Sequence, residues 1–281
     1  MCARRLVVMA GLMLVSGVSD AGGELSVMSF NIRYGTADDG ANAWQNRKNV
    51  VVDMIKHYHP DILGLQEALA MQVDYLRAEL PEYDAFGADR DANGNGERMT
   101  VLYRKDDFVP LTTGNFWLSD TPGVPASNTW GAACNRMVTW AEFLSLRDRS
   151  TFVFFNTHFD HVSSGARLGS ARLLAGRVAA VSGAPVIVTG DFNSSAPDSE
   201  PYKLLAASGL RDAWPIASER RGPESTLSGW GPPKEGANRR IDWTLVCGGI
   251  DVTLCETVTY NSGGRYPSDH YPVYSKLIIL E

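Results

Sequence analysis

Val186-Ile187-Val188-Thr189-Gly190-Asp191-Phe192-Asn193 runs from a β-branched apolar stretch directly into a glycine turn that carries a carboxylate and an amide. A short apolar run of this kind reads as a buried strand, and its polar end reads as a strand terminus. The same grammar recurs along the chain. Asn31 follows Val27-Met28-Ser29-Phe30, Glu67 follows Ile62 to Leu65, and His158 follows Phe152 to Thr157, while Asp269 and His270 precede the last strand. Strand ends on one rim of a sheet meet in space although they lie far apart in sequence. Acidic, amide and histidine side chains gathered in this way suit a metal and phosphate site.

Working outward, Leu25–Ile32, Ile62–Leu65, Met99–Arg104, Met137–Leu146, Thr151–Thr157, Val186–Thr189, Ile241–Val246, Ile250–Tyr260 and Tyr271–Ile279 read as strands. Val51, Met54, Ile55 and Tyr58 recur at helical spacing until His59-Pro60 stops them, and Val73, Leu76 and Leu80 mark a second helix. Leu168–Val181 and Tyr202–Ala207 are further helices, and the stretch between Arg104 and Met137, with Trp117, Pro122, Pro125 and Trp130, reads as a long irregular loop. Strands dominate, with helices mainly in the first two thirds. The expected class is α+β: two mixed, mainly antiparallel sheets packed face to face with helices outside, a four-layer α/β/β/α sandwich.

The chain has 281 residues, 44% hydrophobic and 21% charged, and neither a linker nor a repeat divides it. One domain over 24–281 is therefore expected. Ahead of it, Arg4-Arg5, the apolar run Leu6–Val15 and the small-residue site Ser19-Asp20-Ala21 read as a signal peptide over residues 1–22. The apolar run is short for a membrane span, and no later stretch is long enough for one. An exported protein, periplasmic or secreted, without an integral membrane segment and monomeric, is the expectation. The formal net charge of −6 has the wrong sign for a protein living by non-specific phosphate contacts, although a metal ion supplies local positive charge. Cys247 and Cys255 flank Gly248-Gly249 in what read as two adjacent strands, so a disulfide and two separate thiols both stand open.

Taken in order, these segments resemble the endonuclease/exonuclease/phosphatase superfamily, the deoxyribonuclease I-like group, and in particular a secreted bacterial branch of it. The resemblance is carried by Ser29-Phe30-Asn31-Ile32-Arg33, Asp61 to Glu67, Glu97 with Val101-Leu102-Tyr103-Arg104, Asn156-Thr157-His158, Gly190-Asp191-Phe192-Asn193, Arg240-Ile241-Asp242 and Ser268-Asp269-His270-Tyr271-Pro272-Val273. It implies a metal-dependent phosphoric ester hydrolase. Glu67 would be the principal ligand of Mg2+ or Mn2+, with Asn31 and Asp269 beside it, because hard cations take oxygen donors. Asp191 would orient or deprotonate the attacking water, and Asn193 would hold a phosphoryl oxygen. His270 would lie against the phosphate with Asp242 fixing its tautomer, and His158 would be a second histidine oriented by Glu97.

Arg136 matches a position where a basic residue approaches substrate, and equally reads as a surface arginine opening a strand. Trp130 reads as a stacking surface for substrate or as core. His161 reads as a pocket residue or a surface one. The substrate expected is a phosphorylated small molecule or a surface-attached phosphoester, mono- or diester. A secreted nuclease with nucleic acid as substrate is the alternative, and a non-catalytic binding module with the same fold is a third.

Overall fold

The computed structural model describes residues 23–234, 236 and 239–280; the expected signal segment, residues 1–22, lies outside them. Two sheets form the body. The first has seven strands: β10 (Glu219–Arg221), β12 (Ile250–Thr257), β13 (Val273–Ile279), β1 (Gly23–Asn31), β2 (Ile62–Gln66), β4 (Val101–Arg104) and β3 (Tyr83–Phe86), in that spatial order. The second has six: β5 (Phe108–Trp117), β6 (Met137–Ser145), β7 (Thr151–His158), β8 (Val186–Asp191), β11 (Asp242–Cys247) and β9 (Arg211–Asp212).

Alternation along each strand explains the layering, because successive side chains point to opposite faces. Val27, Ile62 and Val101 of the first sheet meet Phe143, Phe152, Phe154, Ile187 and Val246 of the second in a central core. Their neighbours Met28, Leu63 and Leu102 point the other way, onto Val51, Met54 and Ile55 of α1 (Trp44–Tyr58) and Leu76 of α2 (Ala70–Glu79). On the far side Val153, Phe155 and Val188 pack on Ala171, Leu174 and Val178 of α3 (Ser164–Ala179) and Leu205 of α4 (Glu200–Ala207). This is the four-layer α/β/β/α sandwich. Both faces of each sheet are buried, which is why the strands read as nearly continuous apolar runs.

Most neighbours are antiparallel, but β1 and β2 run parallel across α1, and β7 and β8 run parallel across α3. Each crossover delivers two strand C-termini to one rim. Between the sheets, just below that rim, Gln66 Nε2 donates to Asn156 Oδ1 at 2.7 Å, and Asn156 Nδ2 donates to the carbonyls of Leu65 and Thr100. Gly64 permits this close approach: a Cβ there would stand 2.5 Å from Thr189 Oγ1 and 2.6 Å from Asn156 Oδ1.

Three sequence readings change. The stretch after Arg104 is not all loop, since β5 is a ten-residue strand antiparallel to β6. Pro110, Gly114 and exposed side chains hide it, as befits an edge strand. Cys247 and Cys255 are free, because β11 and β12 belong to different sheets rather than pairing. The first helix begins at Trp44, about two turns earlier than its apolar periodicity suggested. No helix among the described residues is long and apolar enough to cross a membrane.

Candidate active site

The rim carries the strand ends that the sequence singled out. Asn31 closes β1, Glu67 follows β2, His158 closes β7 and Asp191 closes β8. Asp242 opens β11 directly opposite Asp191 in register, and Asp269 and His270 lead into β13, antiparallel to β1. Gly190 is needed for the junction, since a Cβ there would lie 2.5 Å from the Thr157 carbonyl oxygen. Arg33, Glu67 and Asn193 all hold positive φ, at 56°, 61° and 47°. Such backbone is uncommon for side chains of this kind, and it turns each chain sharply off its strand so that side chains face a common space. That space is a cavity of about 530 Å³ lined by Glu67, Asp191, Asn193, His158, His270 and Asp269 together with Arg33, Arg90, Glu97, Cys134, Arg136 and His161.

Asp191 is the hub. Its Oδ1 accepts the Asn193 main-chain N–H at 2.9 Å, and its Oδ2 accepts Asn31 Nδ2 at 3.0 Å. Burial, reinforced by the charge of Asp242, pushes its carboxyl up to about 7. His270 Nδ1 lies 2.9 Å from Asp242 Oδ2, and its Nε2 lies 3.9 Å from Asp191 Oδ2. Burial opposes its charge, but Asp242 and Asp191 outweigh burial and hold the imidazole well above its ordinary pKa. His158 goes the other way. Burial first, and then the cations Arg136 and Arg90, drive it well below the ordinary value.

The tautomer of His158 follows from its neighbours. Asn193 Nδ2 donates to the Phe159 carbonyl at 3.0 Å, which fixes the amide orientation, and the same Nδ2 lies 3.0 Å from His158 Nε2. An amide nitrogen only donates, so Nε2 accepts and the ring proton sits on Nδ1. That Nδ1 is buried and has no partner. The expected Glu97–His158 pairing is therefore absent: Glu97 instead accepts Arg90 Nη1 at 2.6 Å, taken by the nearer cation. Trp130 does not line the cavity either. Its indole N–H donates to Asp120 at 2.8 Å, and its ring covers Gly169 of α3. No tryptophan lines the cavity among the described residues.

Two donor sets could hold a metal. Asp191, Asp242 and His270 offer ligand atoms within 4.8 Å of one another, but their charges and lone pairs are already engaged by the Asp242–His270 pair. The second set is all oxygen. Glu67 lines the cavity; its Oε1 accepts Asn31 Nδ2 at 2.9 Å and its Oε2 accepts the Tyr34 N–H at 3.1 Å. Asp269 belongs to the same group: burial and the charge of Glu67 push its carboxyl up against the pull of His270 and of Arg33, whose Nε stands 4.0 Å away. Two carboxylates, with Asp269 raised by the charge of Glu67, and an amide oxygen fit a hard divalent cation.

Arg47 was not legible as a site residue. It is fully buried. Its guanidinium donates to the carbonyls of Asn42, Ile32, Pro267 and Arg33 at 2.7–2.9 Å. It thereby ties the chain just after Asn31 to the chain just before Asp269. Trp44 and Trp230 stand 5.2 Å from it, ring centroid to guanidinium. Arg136, one of two open readings above, is buried at 5% exposure and lines the cavity, and His161 lines it too, whereas His57 and His59 lie on the surface.

The Endonuclease/Exonuclease/phosphatase family model matches residues 28–270. An endonuclease/exonuclease/phosphatase from Bacteroides vulgatus is 34% identical, with a TM-score of 0.87 over 92% of this chain and 100% of that one. A mannosyl-6-phosphatase from Bacteroides thetaiotaomicron is 32% identical, with a TM-score of 0.85 over 90% of this chain and 99% of that one. Mouse Nocturnin is 26% identical over 254 residues, which are 82% of this chain but 56% of Nocturnin, so the chain spans about half the length of that relative.

Proposed function

This chain belongs to the endonuclease/exonuclease/phosphatase family of metal-dependent phosphoester hydrolases, and from that premise we propose that it hydrolyses a small phosphorylated compound, a sugar phosphate in the first instance, outside the cytoplasm. The observation that carries the reading is the convergence of Glu67, Asp191, Asn193, His158, Asp269 and His270 on one cavity. The similarity to a mannosyl-6-phosphatase over nearly the whole length of both chains supports the sugar phosphate. The signal-like residues 1–22 support export.

Glu67, Asn31 and Asp269 would hold Mg2+ or Mn2+, which when bound neutralises charge on the phosphoryl oxygens and draws water toward ionisation. The rest falls to the chain. Asp191, with a carboxyl near 7, exchanges protons at neutral pH and is placed to take the proton of the attacking water. As the new P–O bond forms, the bond to the leaving oxygen breaks, and that oxygen takes a proton from solvent water and departs as an alcohol. Cationic His270, oriented by Asp242, stabilises the charge that gathers on the phosphoryl oxygens. His158, neutral, accepts from Asn193 and so fixes the amide's aim.

The test is a phosphate-release screen across phosphosugars and other metabolites with Mg2+ and Mn2+ titrated, run beside plasmid, single-stranded DNA and RNA. Metal-dependent release from a sugar phosphate with intact polymers is expected. Cleavage of polymers without small-ester turnover would make the protein a nuclease, and wild type without metal-dependent turnover of any ester would leave a binding module. Fractionation of the producing cell tests export, and retention of the full-length chain in the cytoplasm would overturn it.

A further inference from the structure

The cavity holds guanidinium N–H groups that its acidic residues leave unpartnered. Arg136 is buried, yet its Nε and Nη1 have no hydrogen-bond partner, and Arg90 Nε is likewise buried and unpartnered. Both side chains line the cavity. Two unsatisfied guanidiniums in one pocket are costly unless an anion comes between them.

The protein holds both arginines in position. The Arg90 backbone is pinned by Trp117 Nε1, which donates to its carbonyl at 2.7 Å, and by its own N–H, which donates to the Glu97 carbonyl at 3.0 Å. Glu97 neutralises one end of Arg90, through Nη1 at 2.6 Å, while Asp91 stands 3.9 Å from Nε and makes no hydrogen bond with it. Asp160 is the nearest carboxylate to Arg136, but at 3.9 Å from Nε it makes no hydrogen bond. Its oxygens are spent on the main-chain N–H groups of Ala133, Cys134, Val162 and Ser163. Arg136 Nη2 lies 3.0 Å from His161 Nδ1. Since a guanidinium only donates, Nδ1 accepts, and the neutral ring keeps its proton on Nε2 as one more donor. Burial and the like charge of Arg90 draw the Arg136 guanidinium below its ordinary pKa, the sign of a cation without a full counter-charge.

We infer that Arg90 and Arg136, with His161, receive the second negative charge of a phosphate monoester, so that the enzyme selects dianionic monoesters over diesters. The inference rests on the hydrolase reading above and settles which ester that site takes. A monoester presents three non-bridging oxygens and two charges. Oxygens that face His270 and a cation held by Glu67 and Asp269 would leave one for the arginines. A diester places an uncharged alkoxy arm there, and the buried guanidinium stays unpaired. Sites built to bond a polar group reject analogues that lack it by large factors.

The experiment compares p-nitrophenyl phosphate with methyl p-nitrophenyl phosphate, which share a leaving group and differ by one charge. Wild type is expected to favour the monoester in kcat/KM by about 10²-fold or more. In Arg136→Gln that preference should collapse by at least about 30-fold, mainly through loss on the monoester, and Arg90→Lys should act in the same direction. Because p-nitrophenyl phosphate has one phosphorus, a collapse also excludes a role confined to a second phosphate elsewhere on a substrate. An unchanged ratio, or a ratio near one in wild type, overturns the inference. Binding of inorganic phosphate and dimethyl phosphate by calorimetry keeps the test independent of turnover. Wild type should bind phosphate and Arg136→Gln should bind it at least about tenfold more weakly, with neither binding dimethyl phosphate measurably. Equal phosphate affinity in two folded proteins of matching melting temperature would also overturn it. If wild type binds phosphate in this way but turns over no ester, the hydrolase reading fails while the anion site stands.

Discussion

His158 and His270 line the same cavity and are equally buried, yet their surroundings drive them to opposite charge states. His270 lies between Asp242 and Asp191, which hold it cationic. His158 lies beside Arg136 and Arg90, which add to burial and keep it neutral. Burial alone would neutralise both, so the difference teaches that the placement of neighbouring charge decides the role of each ring. Both neighbourhoods come from the strand register. Asp242 stands opposite Asp191 because β11 pairs antiparallel with β8, whereas the parallel neighbour of β8, β7, ends on His158 and continues into Asp160 and His161 beside Arg136. The cavity thus has an anionic part that fits metal and imidazolium and a cationic part that fits phosphate.

The comparison is broken most severely at the residue between the two rings. Asp191 Oδ2 stands 3.4 Å from His158 Nε2 and 3.9 Å from His270 Nε2. Asp191→Asn removes the proton acceptor and should lower kcat by about 10³-fold or more, with phosphate binding reduced far less. Single-turnover kinetics beside phosphate calorimetry checks this, and near-wild-type turnover would remove Asp191 from the centre of the site. Asp242→Asn is next, with about 10²-fold lost from kcat/KM. Its pH profile carries the sharper sign. Activity should rise as Asp191 loses its proton and fall as His270 loses its own. The Asp242 charge raises both groups, so removing it lowers both, and the acid and alkaline limbs should shift together toward lower pH. A variant profile with limbs moving apart, or only one moving, would show that Asp242 does not couple them.

A smaller effect tests what holds the anionic part together. Arg47 bonds carbonyls just after Asn31 and just before Asp269, so Arg47→Lys, with one ammonium in place of a planar fork, should loosen the placement of these two residues while leaving His158 untouched. The metal concentration for half activity should rise by roughly tenfold, with the pH limbs unchanged. An unchanged metal dependence in the folded variant would confine Arg47 to stability.

The strand ends were legible because two-sided burial writes nearly continuous apolar runs, and a polar residue closing such a run is conspicuous. Asn31, Glu67, His158 and Asp191 were found that way, Asp242 only through the family resemblance, and the structure brings all five to one rim. What failed to read was whatever depends on a partner distant in sequence. Glu97 pairs with Arg90 seven residues away rather than with His158, a choice made by the fold of the loop between them. Arg47 stood out in no sequence pattern, since its four acceptors are main-chain carbonyls that no side-chain pattern reveals. Strand β5 was hidden by Pro110, by the exposed face of an edge strand, and by Gly114, where a Cβ would meet the Trp140 indole at 2.6 Å. The thiols of Cys247 and Cys255 looked adjacent because sequence does not tell a hairpin from a strand pair that changes sheets.

The mildest prediction is the one most specific to the comparison. If His158 is neutral and acts by accepting from Asn193, then Gln at 158, which offers an amide oxygen of similar reach, should keep much of that function. His158→Gln should lose no more than about tenfold in kcat, since one neutral hydrogen bond is worth roughly 0.5–1.5 kcal/mol. More tellingly, neither limb of the pH profile should move, because a ring that stays uncharged through the working range contributes no titration. A cationic His158 would behave otherwise: its loss would remove a charge beside Asp191, raise the acid limb and cost far more than tenfold. The pH profile of this one variant therefore decides whether the cations beside His158 have set its charge state, independently of how fast the enzyme turns over.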